Sequence, residues 1–297
     1  MKRILVFVAV LFLSAAAAAP VSAQGISQQD VEKFRKMEDS LVVAADSMYE
    51  AFLPDMRVTY SERFARQLVR TLKLPNSYLY TFDSLQKLIS IIYSDDNTFR
   101  IFNWGIEPAK LTKRYYGAIQ LMQPQLKLIG LNDYSEQADK GLEDSVFSGG
   151  KWFGALYYRI MSQTVQGRKV YTMFGLNAGS LLSNRKVLDP MVFTPSGGVS
   201  FGAPIFSIGS RNFPGKPINR FVLEYKKDVT ASMNWDPEKQ MIVFDKLTSV
   251  TNDPARKYTF VPSGQYDGFI WGNEVWNYRK ELVDINVLQD GQAPGGE

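Results

Sequence analysis

With 297 residues, and a formal charge of +4 that falls to +2 once Lys2 and Arg3 are set aside, the chain can bury a substantial core and carries no basic tail or stripe suited to nucleic acid. It contains no cysteine and no histidine, which excludes disulfides, thiolate nucleophiles, Ser-His-Asp and Cys-His catalysis, and histidine-ligated zinc or haem. What stays open is carboxylate chemistry, a Ser-Lys pair, oxygen-ligated Ca²⁺ or Mg²⁺, or no chemistry at all.

Residues 1–23 read as a secretory signal, with Lys2 and Arg3 ahead of an apolar run over 4–13 and a small-x-small site at Val21-Ser22-Ala23. The apolar run is short for a membrane span, so the mature chain is expected to lack a transmembrane segment. From 24 to 97 the period is helical. Val31, Phe34, Met37, Leu41, Ala44, Met48 and Phe52 predict one long amphipathic helix, capped by Ser27 and stopped by Pro54. Phe64, Leu68 and Leu72 predict a second from about 61, and Leu85, Leu88, Ile89 and Ile92 a third over 82–93.

Beyond Asn97 the pattern turns to strands. Short β-branched and aromatic runs occur at 98–105, 114–122, 125–131, 151–162, 168–176, 184–193 and 199–207, and again at 257–261, 266–271 and within 275–288. Only 134–146 looks helical in this half. Gln166-Gly167 reads as a hairpin turn. Residues 220–226, 230–235 and 240–246 predict a three-strand meander, with Phe221, Leu223 and Tyr225 on one face and Asp236-Pro237 opening its second turn. The expected architecture is α+β: a helical region over 24–97, a large antiparallel β domain over 98–288 built as a sandwich or barrel, and a disordered tail over 289–297. A β-propeller is the alternative, against which no motif recurs at a fixed period.

Motifs that carry chemistry are weak. Gly198-Val199-Ser200-Phe201-Gly202 has the spacing of a nucleophile elbow, but no histidine exists to activate the serine and a strand follows where a helix is required. Ser84-Leu85-Gln86-Lys87 has the S-x-x-K spacing of penicillin-binding enzymes without their companion motifs. The glycines at 209 and 215 are one residue too far apart for a phosphate loop, and 209–217 reads as an exposed loop. Acidic clusters at Asp95-Asp96, 139–144 and Asp253 match no calcium loop, so no metal ligands and no cofactor are implied. A glycosidase needs only two facing carboxylates and survives the lack of histidine.

The aromatic residues are more suggestive. Trp104, Trp152, Tyr157, Tyr158, Trp235, Trp271 and Trp276 lie in or beside predicted strands, where rings serve either as core or as sugar-stacking platforms. The candidate ligand contacts are Trp104, Tyr266, Asp267 and Trp271. The last three fall in the Gly-punctuated segment SGQYDGFIWG, expected to form turns at one end of a sheet, with a structural Asp as the competing reading.

The segments FRIFNWG (99–105), YGAIQ (116–120), VFDKL (243–247) and QYDGF (265–269) resemble, in the same order, segments of uncharacterised exported proteins of Gram-negative bacteria. The resemblance covers most of the β half and implies export to the periplasm or cell envelope, but no activity and no site residue. The expectation is a non-catalytic binding or envelope-associated protein whose partner is a glycan or another envelope component. A carboxylate-dependent glycan hydrolase is the first alternative. A structural subunit of an envelope assembly, joined through an exposed apolar stripe on 31–52, is the second.

Overall fold

The computed structural model describes residues 25–123, 125–138, 141–209 and 215–282. The signal expected at 1–23 and the tail expected at 289–297 lie outside them. Helix α1 (Gln28–Glu50) begins at Ser27, whose Oγ accepts the Asp30 amide at 3.1 Å and so satisfies one of the free amides of the first turn. Its buried face is Phe34, Leu41, Ala45 and Met48. Pro54 does stop α1, but it also starts α2 (Pro54–Leu72), because a proline in the first turn forfeits no helical hydrogen bond. Helix α2 therefore begins earlier than its apolar spacing indicates, and buries Phe64, Leu68 and Leu72.

The third predicted helix does not form. Asn76 and Phe82 both take φ 60, a left-handed conformation that interrupts a helix, and residues 77–89 run as two 3₁₀ turns. Glu38, buried on α1, fixes this segment by accepting the Ser84 amide at 2.7 Å, the Leu85 amide at 2.9 Å and the Tyr80 hydroxyl at 2.5 Å. Leu85 and Ile89 are buried all the same, while Leu88 and Ile92 are half-buried, so the periodicity reported part of the burial and the wrong geometry. Residues Ser90–Tyr93 form β1.

Strand β1 pairs with β2 (Phe99–Ile106), followed by β3 (Arg114–Leu121) and β4 (Leu128–Asn132), to give an antiparallel four-stranded sheet in chain order. The boundary expected at 97 thus falls inside a hairpin. The second sheet holds β5 (Phe147–Ser148), β6 (Leu156–Val165), β7 (Arg168–Asn177), β8 (Ser183–Phe193) and β9 (Val199–Phe201), in the order β5-β9-β8-β7-β6. The described residues of 134–146 hold one 3₁₀ turn, Ser135–Gln137, in place of the expected helix. Between β6 and β7, Gln166 (φ 48) and Gly167 (φ 75) make the two-residue turn expected there, with both φ values positive as its right-handed twist requires.

The third sheet contains β10 (Phe206–Ser207) and, after β11 (Phe221–Lys226), strands β12 (Met233–Asp236), β13 (Met241–Ser249), β14 (Phe260–Gly272) and β15 (Val275–Arg279). Its order is β10-β15-β14-β13-β12, antiparallel except for the short β10–β15 pair. The predicted meander is divided. Strand β11 pairs with β8 of the second sheet, Phe221 opposite Leu188 through Lys226 opposite Ser183, and only β12 and β13 form a hairpin. The reason is an edge: β9 covers only Met191–Phe193 of the 11-residue β8, and β11 covers Ser183–Leu188, which would otherwise stand open in the middle of the protein. The alternation within β11 is as expected, with Phe221, Leu223 and Tyr225 buried.

Three apolar clusters set the layering. The first packs Phe34, Met48, Phe64 and Leu68 of the helices on Phe102, Trp104 and Ile106 of the first sheet. The second packs Phe99, Ile101 and Ile119 from that sheet's other face on Tyr157, Met173 and Val187 of the second. The third packs Phe174, Leu188 and Leu223 on Ile242, Phe244, Phe269 and Trp276 of the third sheet. The molecule is therefore an α+β stack of one helical layer and three open, mainly antiparallel sheets, with no closed barrel among the described residues. Strand β2 is buried along almost its whole length because both its faces are covered, and so it reads as a continuous apolar run.

Candidate functional site

Two buried networks hold the stack in register. In β2, Asn103 Oδ1 accepts the Tyr157 amide at 2.7 Å, which joins the first sheet to the second. In the second sheet the Tyr157 hydroxyl accepts from Trp152 Nε1 at 2.8 Å and donates to Asp189 Oδ2 at 2.7 Å, and Arg220 Nε donates to Asp189 Oδ1 at 2.8 Å. Arg220 Nη2 lies 2.7 Å from that same oxygen as an ion contact without hydrogen-bond alignment. Asp189 and Arg220 are fully buried, and burial together with the adjacent Asp189 carboxylate pushes the Tyr157 phenol far up. Arg220 Nη1 also donates to Leu142 O at 2.7 Å, while the Asn219 and Arg220 amides donate to Glu143 O at 2.7 and 3.1 Å. The network thus fixes the segment that carries Glu143 at the start of β11.

Glu143 stands at the rim of a cleft of about 350 Å³ that opens between β11 of the second sheet and β13–β15 of the third. Phe221, Phe244, Phe260 and Tyr278 supply its apolar surface, and Asp245, Asp267, Lys246, Lys257 and Lys280 its polar surface. The rings pack on one another at a tilt, Phe221 on Phe244 with centroids 4.8 Å apart and Phe244 on Tyr278 at 6.2 Å. The carboxylates differ in their commitments. Asp267 accepts the Tyr278 hydroxyl at 2.5 Å on one oxygen and the Glu281 amide at 2.8 Å on the other. Asp245 accepts the Ser232 amide at 2.5 Å. Glu224 accepts Ser183 Oγ at 2.6 Å and pairs with Arg185 at 3.2 Å. The Glu143 carboxyl makes no hydrogen bond or ion pair with another described residue, and burial raises its pKa from 4.5 against the opposing pull of Lys257.

The four candidates do not form one site. Trp104 is 3% exposed in the helix-facing core, where its Nε1 donates to Ser61 Oγ at 2.9 Å and its ring stacks on Tyr116, so no ligand reaches it. Residues 266–271 form no turns: they are the interior of β14, in which Gly268 leaves no room for a side chain because an added Cβ would lie 2.5 Å from Ile242 O. Asp267 and Trp271 share the inner face of β14 with Phe269, and Tyr266 lies on the opposite face. Asp267 lines the cleft, whereas Trp271 packs at 5.1 Å on Trp276, which in turn meets Trp235 at 6.2 Å.

Sequence reasoning missed Glu143, Lys257 and Phe260. The acidic cluster around 139–144 was visible, but only the pairing of β11 with β8 shows that it meets β13 and β14. Among the described residues no group of three or more acidic side chains is placed to hold a metal, and no helix is long and apolar enough to cross a membrane. No protein-family model matches the chain, and neither the curated proteins nor the solved structures contain a match to it.

Proposed function

We propose that this is an exported, non-catalytic binding protein whose ligand, a glycan or another envelope component, occupies the cleft between β11 and β13–β15. The leader-like residues 1–23 support export. The cleft supports binding because it offers an apolar lining, with the half-buried Phe260 and Tyr278 rings, beside charged edges, which suits a ligand that is apolar on one face and hydroxylated or charged at its rim. One observation weighs binding against hydrolysis. Cleavage of a glycosidic bond by paired acids needs two carboxyl groups available to substrate, and here Asp267, Asp245 and Glu224 are each held by the fold while Glu143 alone is uncommitted.

The test is a tryptophan-fluorescence titration of the chain with bacterial envelope and host glycans, combined with product analysis of the same mixtures. A saturable change without product is expected. Released sugar would replace this reading with the hydrolase, with Glu143 as its acid, and silence toward every glycan would remove both.

A further inference from the structure

A second surface lies away from the cleft and stands independently of its ligand. The corner between α1 and α2 exposes Phe52 at 91%, Leu53 at 57% and Met56 at 39%, the loop between β2 and β3 exposes Leu111 at 54%, and the loop between β7 and β8 exposes Leu181 at 58% and Leu182 at 60%. Such residues are normally scattered, yet these share one end of the stack. Arg57 Nε donates to Ala51 O at 2.8 Å and its Nη1 pairs with Glu107 at 3.6 Å, tying the helical corner to the β2–β3 loop. Glu107 then pairs with Lys113 at 2.8 Å, and Lys113 O lies close against Gly179 of the β7–β8 loop. Lys227 Nζ donates to Ala178 O at 2.7 Å and Ser180 O at 2.8 Å, which brings the β11–β12 link to the same end.

We propose that this end of the molecule is a docking surface for an anionic phospholipid bilayer, into whose interface the apolar tips insert. The tips sit on separate loops braced at their bases by Arg57, Lys113 and Lys227, and their apolar side chains stand exposed above those braces. That is the shape that suits a soft apolar medium. Charge agrees. Across residues 50–57, 107–114, 178–182 and 226–228 there are six basic side chains against four acidic ones, and Lys110 has no carboxylate partner among the described residues. Attachment through side chains on loop tips is peripheral and reversible, since they enter only the interface.

Co-sedimentation tests this with the chain starting at Gln24, since every described element begins after the leader and the leader would itself enter lipid. The probes are vesicles of phosphatidylglycerol with phosphatidylethanolamine, and of phosphatidylcholine alone. Binding to the anionic vesicles is expected, weakened at least tenfold in Phe52→Ser/Leu53→Ser and in Leu181→Ser/Leu182→Ser. Val250→Ser, which alters an equally exposed residue on the loop after β13, should bind as the parent does. Binding that ignores the tip substitutions, or no binding to either vesicle, overturns the proposal. A concentration-dependent dimer abolished by the same substitutions would overturn it too, and would assign the surface to a second copy of the chain.

Discussion

Arg100 shows how far a single side chain can shape this protein. It is fully buried in β2, and no carboxylate faces it. Its guanidinium is instead shared among Gln120 Oε1 at 2.9 Å, Tyr80 O at 2.6 Å, Tyr93 Oη at 2.7 Å and Ser77 O at 2.6 Å, with the Phe82 and Phe102 rings at 5.1 and 4.7 Å. Desolvation lowers its pKa, and the fold keeps it because its donors satisfy Tyr80 O and add to Ser77 O, which the Tyr80 amide also reaches. Arg100→Met preserves much of the volume but strands those acceptors, and should cost about 3 kcal/mol in urea denaturation. A loss below about 1 kcal/mol would mean that water replaces the guanidinium.

Glu143 makes an opposite demand. Its folded pKa is raised by burial, so the stability tied to its protonated form is complete below the ordinary carboxylate value of 4.5 and is lost as pH rises through the raised value. Glu143→Gln should therefore raise Tm at pH 7, with the gap closing as pH falls below 4.5. A mutant less stable at pH 7 would mean that the carboxylate is paired.

At the scale of elements, the turns decide how sheets meet. Asp96, in the β1–β2 turn, is pushed up by burial. It is nevertheless held well below the carboxylate range by Thr98 Oγ1, which donates to it at 2.7 Å, and by Lys169, Ser94 and the Thr98 amide, and two side chains reach it at 3.0 Å, Lys169 Nζ and Tyr171 Oη. The last two come from β7, so Asp96 links the first sheet to the second. A lowered pKa contributes stability above the ordinary carboxylate range and loses it as pH falls through the lowered value. Asp96→Asn should cost about 1 kcal/mol at pH 7, with the difference from the parent narrowing in acid. Gly167→Ala, in a turn that needs positive φ, should likewise cost about 1 kcal/mol in thermal melts.

Much of this level was legible in the sequence. Alternation placed most strands within a few residues, Ser27 and Pro54 marked helix ends, and Gln166-Gly167 announced its hairpin. The failures share a cause. Residues 85–93 bury their apolar side chains in a helical rhythm while Glu38 and two left-handed residues hold the backbone otherwise, and neither fact is local. The meander failed because alternation states which face of β11 is buried and says nothing of which strand lies beside it. For the site, Asp267 was legible as structural or functional without a choice between them, and Trp104 was misplaced because a strand covered on both faces looks the same as one with an exposed aromatic face.

On the scale of the whole molecule, stacking order determines where function can lie. The first and second sheets are covered on both faces, and the candidate cleft lies where the second and third sheets part at their ends. The most direct check of the account is calorimetric titration of a glycan identified by the fluorescence screen into the parent, Phe260→Ala and Val250→Ala proteins. Phe260 lines the cleft and Val250 does not. The account predicts at least tenfold weaker binding for Phe260→Ala, unchanged binding for Val250→Ala and no product in any cell. Equal affinity in all three proteins would place the ligand elsewhere and contradict it.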